Sequence, residues 1–277
     1  MMVNLKVGLC QINVVDDKDK NIENAISMIK EACKRDVDLA ILPEMFNCPY
    51  ENSKFIEYAE EKDDSKTLRA IGKTAKEEDV YILAGSIPEK INDRIYNSSY
   101  FFDNTGNIIG NHKKMHLFDI DVKGQISFKE SDTLSPGDSF NIVNTTFGKI
   151  GLGICYDIRF VELARILTLE GADILIYPGA FNLTTGPAHW ETLFKSRALD
   201  NQVYTIGVAP ALNKDANYNS FGHSLVASPW GDIISECGYE EELKIVDIDL
   251  DKIETVREEI PVLKNRRRDL YEINKRK

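Results

Sequence analysis

The chain has 277 residues, enough for one large α/β domain or two modest ones with a sizeable core. Hydrophobic residues make up 43% and charged residues 29%, a globular composition that excludes a disordered chain. The formal charge of -11 argues against a general binder of nucleic acid or anionic membranes, both of which need a basic footprint, and leaves small molecules as the expected partners.

Residues 1–15, MMVNLKVGLCQINVV, alternate as a strand does and lack the charged n-region, apolar h-region and small-residue cleavage site of a secretory signal. The mature chain is therefore expected to start here. No apolar run approaches the roughly 18 residues of a membrane span, so a soluble cytoplasmic protein is expected. Cysteines at 10, 33, 48, 155 and 237, an odd number without CxxC spacing, fit free thiols better than disulfides or a zinc site.

After this first strand, DKDKNIENAISMIKEACKRD predicts an amphipathic helix with Ile22, Ala25, Ile26, Ile29 and Cys33 near helical spacing. VDLAILPEM predicts a strand that breaks at Pro43. SKTLRAIGKTAKEED predicts a helix, VYILAGSIPEK a strand, and RIYNSSYFFDNTGNIIG a hairpin turning at DNTG. An irregular stretch leads to a second hairpin, FNIVNTTFGKIGLGICYD. Then come the helix RFVELARILTLEG, the buried strand ADILIYPGA, the helix WETLFKSRALDN and the strand-like runs VYTIGVAPAL, FGHSLVASPWGDIISECG and LKIVDIDL. There is no linker, repeat or low-complexity tract, so residues 1–277 are expected to form a single domain. Hairpins interrupting the helix–strand alternation favour two mixed sheets packed face to face with helices outside, a four-layer αββα sandwich of the α/β class.

Three polar residues occupy strand ends followed by tight turns, where open α/β folds present reactive groups. Glu44 follows LAILP, Lys114 follows the arm NIIGNHK, and Cys155 follows KIGLGI. Each has a plain structural reading: a buried cysteine, a solvated lysine, a helix N-terminal carboxylate. Together they are a nucleophile, a base for its proton and a cation for the charge that forms when a carbonyl is attacked, the requirements of acyl transfer.

LPEMFNCPY, KKMHLFDID and GLGICYDIRF resemble the three signature segments of the nitrilase superfamily of carbon–nitrogen hydrolases, which carry a Glu-Lys-Cys triad. KESDTLSPGDSF, YPGAFNLTTGPAHWE, SRALDNQVY, GHSLVASPWGDI and EIPVLKNRRRDLY resemble its omega-amidase branch. The resemblance implies Glu44 as general base, Lys114 rather than Lys113 as the cation, Cys155 as nucleophile, and Glu130 as a second glutamate that orients Lys114 or helps proton transfer. It makes the Tyr156 backbone N–H an oxyanion donor, puts Arg159 and Thr185 at the substrate carboxylate, and leaves Tyr50 to close the pocket. It implies the terminal amides of 2-oxoglutaramate and 2-oxosuccinamate as substrates, no cofactor or metal, and a homodimer or larger even homo-oligomer.

Other readings remain open from sequence. Arg159 could instead pair with Asp157 or Glu162. The chain could be another amidase of the superfamily, such as a deaminated-glutathione amidase or N-carbamoyl hydrolase, or a non-catalytic binding protein on the same fold. His112 and His116 have the i,i+4 spacing of a zinc-binding helix face, but HKKMH lacks the glutamate of HExxH and its surroundings look extended. GKIGLG fails as a dinucleotide loop because Tyr156 stands where the last glycine belongs. The basic run KNRRRDLYEINKRK reads as a solvated or intersubunit segment.

Overall fold

The computed structural model describes residues 4–140 and 142–275. In its first half, β1 (Asn4–Gln11), α1 (Lys18–Cys33), β2 (Leu39–Ile41), α2 (Asn52–Tyr58), α3 (Lys66–Glu77), β3 (Tyr81–Leu83), β4 (Ile87–Ile91), β5 (Arg94–Phe102) and β6 (Ile108–Lys113) succeed one another. A small hairpin, β7 (Asp119–Val122) with β8 (Ile126–Lys129), leads to the second half. That half comprises β9 (Ile142–Thr145), β10 (Gly148–Leu152), α4 (Val161–Leu169), β11 (Ile174–Pro178), α5 (Gly186–Asn201), β12 (Tyr204–Val208), β13 (Leu225–Ala227), β14 (Ile233–Glu236), β15 (Glu242–Asp249) and α6 (Asp251–Glu259).

The strands form two large mixed sheets. One runs β15-β1-β2-β3-β5-β4, with β6 also on β5; the other runs β14-β13-β12-β11-β10-β9. At the centre of each lie three parallel strands, β1-β2-β3 and β10-β11-β12, flanked by antiparallel partners. Strand alternation explains the layering. Leu5, Val7, Leu9, Leu39 and Ile41 point inward against Ile150, Leu152, Ile174, Ile176 and Ile206 of the other sheet. Ala40, Leu42 and Ile82 point outward against Ala25, Ile29, Leu68 and Ile71 of α1 and α3. Leu175 and Tyr177 meet Leu163, Leu167, Phe194 and Ala198 of α4 and α5. Each such aliphatic side chain contributes roughly 1.5–3 kcal/mol by leaving water, and the result is the expected four-layer αββα sandwich.

Several local expectations change. VYILAGSIPEK is two strands, because Gly85 (φ +33) turns the chain between β3 and β4. The stretch expected to be irregular holds β7–β8 and a 3-10 turn, Glu130–Asp132. The helix expected from Arg159 starts at Val161, after a 3-10 turn over Cys155–Arg159. Periodicity alone does not mark α2 or α6. Helix starts obey capping chemistry elsewhere: Asp17 Oδ1 accepts from Lys20 N–H at 3.1 Å, and Ser65 Oγ from Leu68 N–H at 2.9 Å.

Gly85 also bears on the position of Glu44, because a Cβ at Gly85 would collide with the carbonyl oxygen of Pro43, the residue before that glutamate. Gly124 (φ +73), in the β7–β8 turn, has no atom within 4 Å of a built Cβ. Gly124→Ala is therefore expected to cost only backbone strain, about 1 kcal/mol, whereas Gly85→Ala costs roughly 2 kcal/mol or more by displacing the Pro43 backbone. Urea unfolding of the two variants side by side checks this, and equal losses would contradict it.

Candidate active site

The carboxyl ends of β2, β10 and β11 and the end of β6 converge on one spot. β10 ends at Leu152, and Cys155 turns the chain at φ +45 into the 3-10 turn Cys155–Arg159. A non-glycine residue in the left-handed region costs free energy and persists only where surroundings over-determine it, a pattern concentrated at functional sites. The surroundings do so here. Asp157 Oδ2 accepts from the Ile154 N–H at 2.9 Å, closing the turn on its own entry, and Cys155 is buried.

Beside the thiol lies a buried polar network. Lys114 Nζ donates to Glu44 Oε1 at 2.9 Å, to Glu130 Oε1 at 2.9 Å and to the Tyr50 hydroxyl at 3.2 Å, which uses all three of its protons. Glu44 further accepts from Asn97 Nδ2 and, through Oε2, from the Ala180 N–H, both at 2.8 Å. Glu130 accepts the Tyr50 hydroxyl at 2.6 Å and the Phe118 N–H at 2.5 Å. Glu44, Lys114 and Glu130 are fully buried. Lys113, the competing lysine, instead sets its ammonium over the Tyr96 ring at 5.5 Å.

Electrostatics result from this packing. Burial pushes the Cys155 thiol well above its ordinary range, the Glu44 carboxylate adds to the rise, and Lys114 opposes it. Burial also raises Glu44, against the pull of Lys114 and with a further push from Glu130. For Lys114 burial works the other way, but Glu130 and Glu44 outweigh it and hold the ammonium well above its usual value. The packing thus disfavours the thiolate form of Cys155 and favours the ammonium form of Lys114 between the two glutamates.

Sequence reasoning misses the device that joins Lys114 to Cys155. His112 and His116 flank Lys114, and both ring nitrogens meet the buried carboxylate of Asp157: His112 Nε2 lies 2.9 Å from Oδ2 and His116 Nδ1 2.7 Å from Oδ1. The His116 N–H adds a fourth bond at 3.0 Å. Asp157 is held far below the usual carboxylate range, the two histidines outweighing its burial. The spacing considered for zinc serves a carboxylate, and no metal-binding cluster is found among the described residues.

The remaining candidates are spread around the turn. Arg159 makes no ion pair among the described residues. Its guanidinium lies over Phe181 at 4.9 Å and Tyr156 at 5.6 Å, touches His189 Nδ1 at 3.3 Å, and keeps a buried Nε without a partner. Asp157 and Glu162 are not its partners. The Tyr156 N–H lies in the first turn, where helical donors lack an internal partner. Thr185 stands at the N-cap position of α5 without a side-chain capping bond, its hydroxyl donating to Asn182 Oδ1 at 3.3 Å. Tyr50 belongs to the lysine network and also lines a cavity of about 440 Å³ with Glu44, Ala180, Asn213, Asn217 and Tyr218. Its ring centroid is 4.6 Å from that of Tyr218.

A buried thiol on a strained turn, with carboxylate and ammonium beside it on an αββα sandwich, fits a hydrolase acting through a cysteine. A family model for carbon-nitrogen hydrolases matches residues 6–258, and the chain belongs to that family, within the nitrilase superfamily. It is 46% identical over 276 residues to omega-amidase NIT2 of Xenopus tropicalis and 45% identical over 276 residues to omega-amidase NIT2 of Homo sapiens, with 100% of both chains covered in each case. Among solved structures, Saccharomyces cerevisiae Nit3, a member of branch 10 of the nitrilase superfamily, matches with a TM-score of 0.88 at 39% identity, covering 95% of this chain and 97% of that one.

The charge arrangement fixes the sign of two substitutions. Glu44→Gln removes a group that raises the Cys155 thiol and leaves Lys114, which lowers it, so the pH midpoint of Cys155 alkylation moves down. Lys114→Met removes the opposing cation, and the midpoint moves up. Iodoacetamide labelling across pH, read at the Cys155 peptide by mass spectrometry, gives both directions; a shift of the same sign in the two variants would refute the arrangement.

Proposed function

We propose that this protein is a thiol-dependent omega-amidase that hydrolyses the terminal amide of 2-oxo dicarboxylate monoamides, 2-oxoglutaramate and 2-oxosuccinamate, to the dicarboxylate and ammonia. The full-length similarity to omega-amidases supports the substrate class. The observation that carries the chemistry is the buried Glu44–Lys114–Cys155 arrangement, with Glu130 on the far side of the lysine.

The roles derive from the protonation states. Cys155 Sγ attacks the amide carbon while Glu44 takes its proton, which a thiol held protonated beside a carboxylate requires. The oxyanion receives the Tyr156 N–H and the Lys114 ammonium, which gives up its longest bond, to Tyr50, in exchange. Glu130 keeps the ammonium aimed during that exchange. Glu44 passes the proton to the leaving nitrogen, the C–N bond breaks, and ammonia departs from a thioester. Glu44 then deprotonates a water that attacks the thioester, returning the thiol and a carboxylate.

Arg159 is the receptor for the far carboxylate of the substrate, with Thr185 nearby on the α5 cap. The half-buried guanidinium supports this, because a cation without a carboxylate partner among the described residues can take one from a ligand. We read residues 1–277 as a single domain of this family, supported by the one core that both sheets share. No helix among the described residues is long and apolar enough to cross a membrane, and we assign the protein to the cytoplasm. Exposed Leu199, Trp230, Ile260, Val262, Leu270 and Tyr271 support a homodimer or larger even assembly, with the C-terminal segment as intersubunit surface.

The test is release of ammonia and 2-oxoglutarate from 2-oxoglutaramate by wild type and Cys155→Ala. Wild type turns over, and the variant falls by about 10⁴-fold or more, as loss of a covalent nucleophile implies, with an unchanged melting temperature. Release of cysteinylglycine from deaminated glutathione, or of ammonia from an N-carbamoyl amino acid, without turnover of 2-oxoglutaramate would overturn the substrate assignment and keep the nucleophile.

A further inference from the structure

α5 contacts the 3-10 turn through two side chains on one face. His189 and Arg197 are eight residues apart, a little over two turns, so they lie about 80° apart around α5 and share one broad face. Both reach Arg159. His189 Nδ1 accepts from Arg159 Nη1 at 3.3 Å. Arg197, itself buried, donates from Nε to the Ile158 carbonyl at 2.8 Å and from Nη2 to the Arg159 carbonyl at 3.2 Å. Those two carbonyls lie at the carboxyl end of the turn, where backbone acceptors have no internal donor. A guanidinium fork spans two adjacent acceptors, whereas a lysine ammonium satisfies them only as a point charge.

We propose that α5 sets the aim of Arg159, with Arg197 fixing its backbone and His189 its guanidinium, so that both are positioning residues for recognition of the substrate carboxylate. This rests on Arg159 being the carboxylate receptor. The geometry divides the work. Arg197 holds the main chain from below and leaves the Arg159 side chain free to be steered. Phe181 and Tyr156 flank the guanidinium with aromatic faces, which restrict it without using its donors. His189 takes one donor of the guanidinium, whose buried Nε has no partner among the described residues. Burial, then the Arg159 charge, lowers the pKa of His189, so at neutral pH its imidazole keeps the lone pair that this contact needs. Among the described residues the only carboxylate within 4.0 Å of Arg197 is Asp200, 3.9 Å away and half exposed, too loose a pair to account for a buried guanidinium.

The reaction itself supplies the readout. The selectivity of ammonia release for 2-oxoglutaramate over its methyl ester, the ratio of kcat/KM values, isolates recognition of the carboxylate charge. Arg159→Ala brings the ratio close to one. Arg197→Met lowers it about tenfold and His189→Ala about threefold, mainly through KM of the acid, as loss of uniform binding requires. In the Arg159→Ala background neither substitution lowers the ratio further, because residues that act through one another are not additive. Arg197→Lys keeps the buried charge and lowers the ratio by a smaller factor, so it carries the test if Arg197→Met does not fold. Equal losses on acid and ester, or additive losses in the Arg159→Ala background, would overturn the positioning roles. A ratio unaffected by Arg159→Ala would instead overturn the carboxylate reading beneath them.

Discussion

The structure depends on one buried carboxylate. Glu44 leaves the end of a central strand of one sheet and accepts hydrogen bonds from Asn97 and Lys114 on its own side and from the Ala180 backbone across the sandwich. Its two oxygens thereby tie the ends of both sheets together at the point where they open. An uncompensated carboxylate at zero exposure would cost several kcal/mol, so the elements around it serve its compensation. The tight Gly85 turn supports the Pro43 backbone, β6 delivers Lys114 in register with Asn97, and the chain after β11 presents an N–H rather than a carbonyl.

Two glutamates bracket one lysine next to the thiol, and burial and Glu44 push that thiol up against the pull of Lys114. That direction decides the chemistry. Where an imidazolium or a helix N-terminus faces a cysteine, the thiolate is the resting form. Here burial and Glu44 favour the thiol, and in the proposed mechanism Glu44 removes its proton as the sulfur attacks the carbonyl. Glu44 and burial outweigh Lys114 in setting the ionisation of Cys155, and the proposed mechanism assigns the lysine's charge to the oxyanion instead.

Much of this is legible in the sequence because strand ends are. LAILP, NIIGNHK and KIGLGI each carry an apolar run that stops at a polar residue, and Glu44, Lys114 and Cys155 are recognisable at those stops. The hairpin β7–β8 is not, since four-residue strands beside a flexible KGQ turn hardly differ from a loop in periodicity. The spacing of His112 and His116 suggests only a metal; their common partner, Asp157, lies 41 residues or more away in sequence and, by proximity along the chain, suggests a partner for Arg159 instead. Arg197 leaves no mark at all. Its acceptors are backbone carbonyls, which every residue has, so only folding reveals that it holds the turn.

The raised thiol has a consequence beyond turnover. Peroxides and other soft oxidants attack the thiolate, and a cysteine kept protonated and out of water reacts slowly with them. A nucleophile that ionises only as a substrate carbonyl arrives is exposed to oxidation for a small part of its life. In the proposed mechanism the carboxylate that activates Cys155 for attack is also one of the groups that favour its protonated form between turnovers.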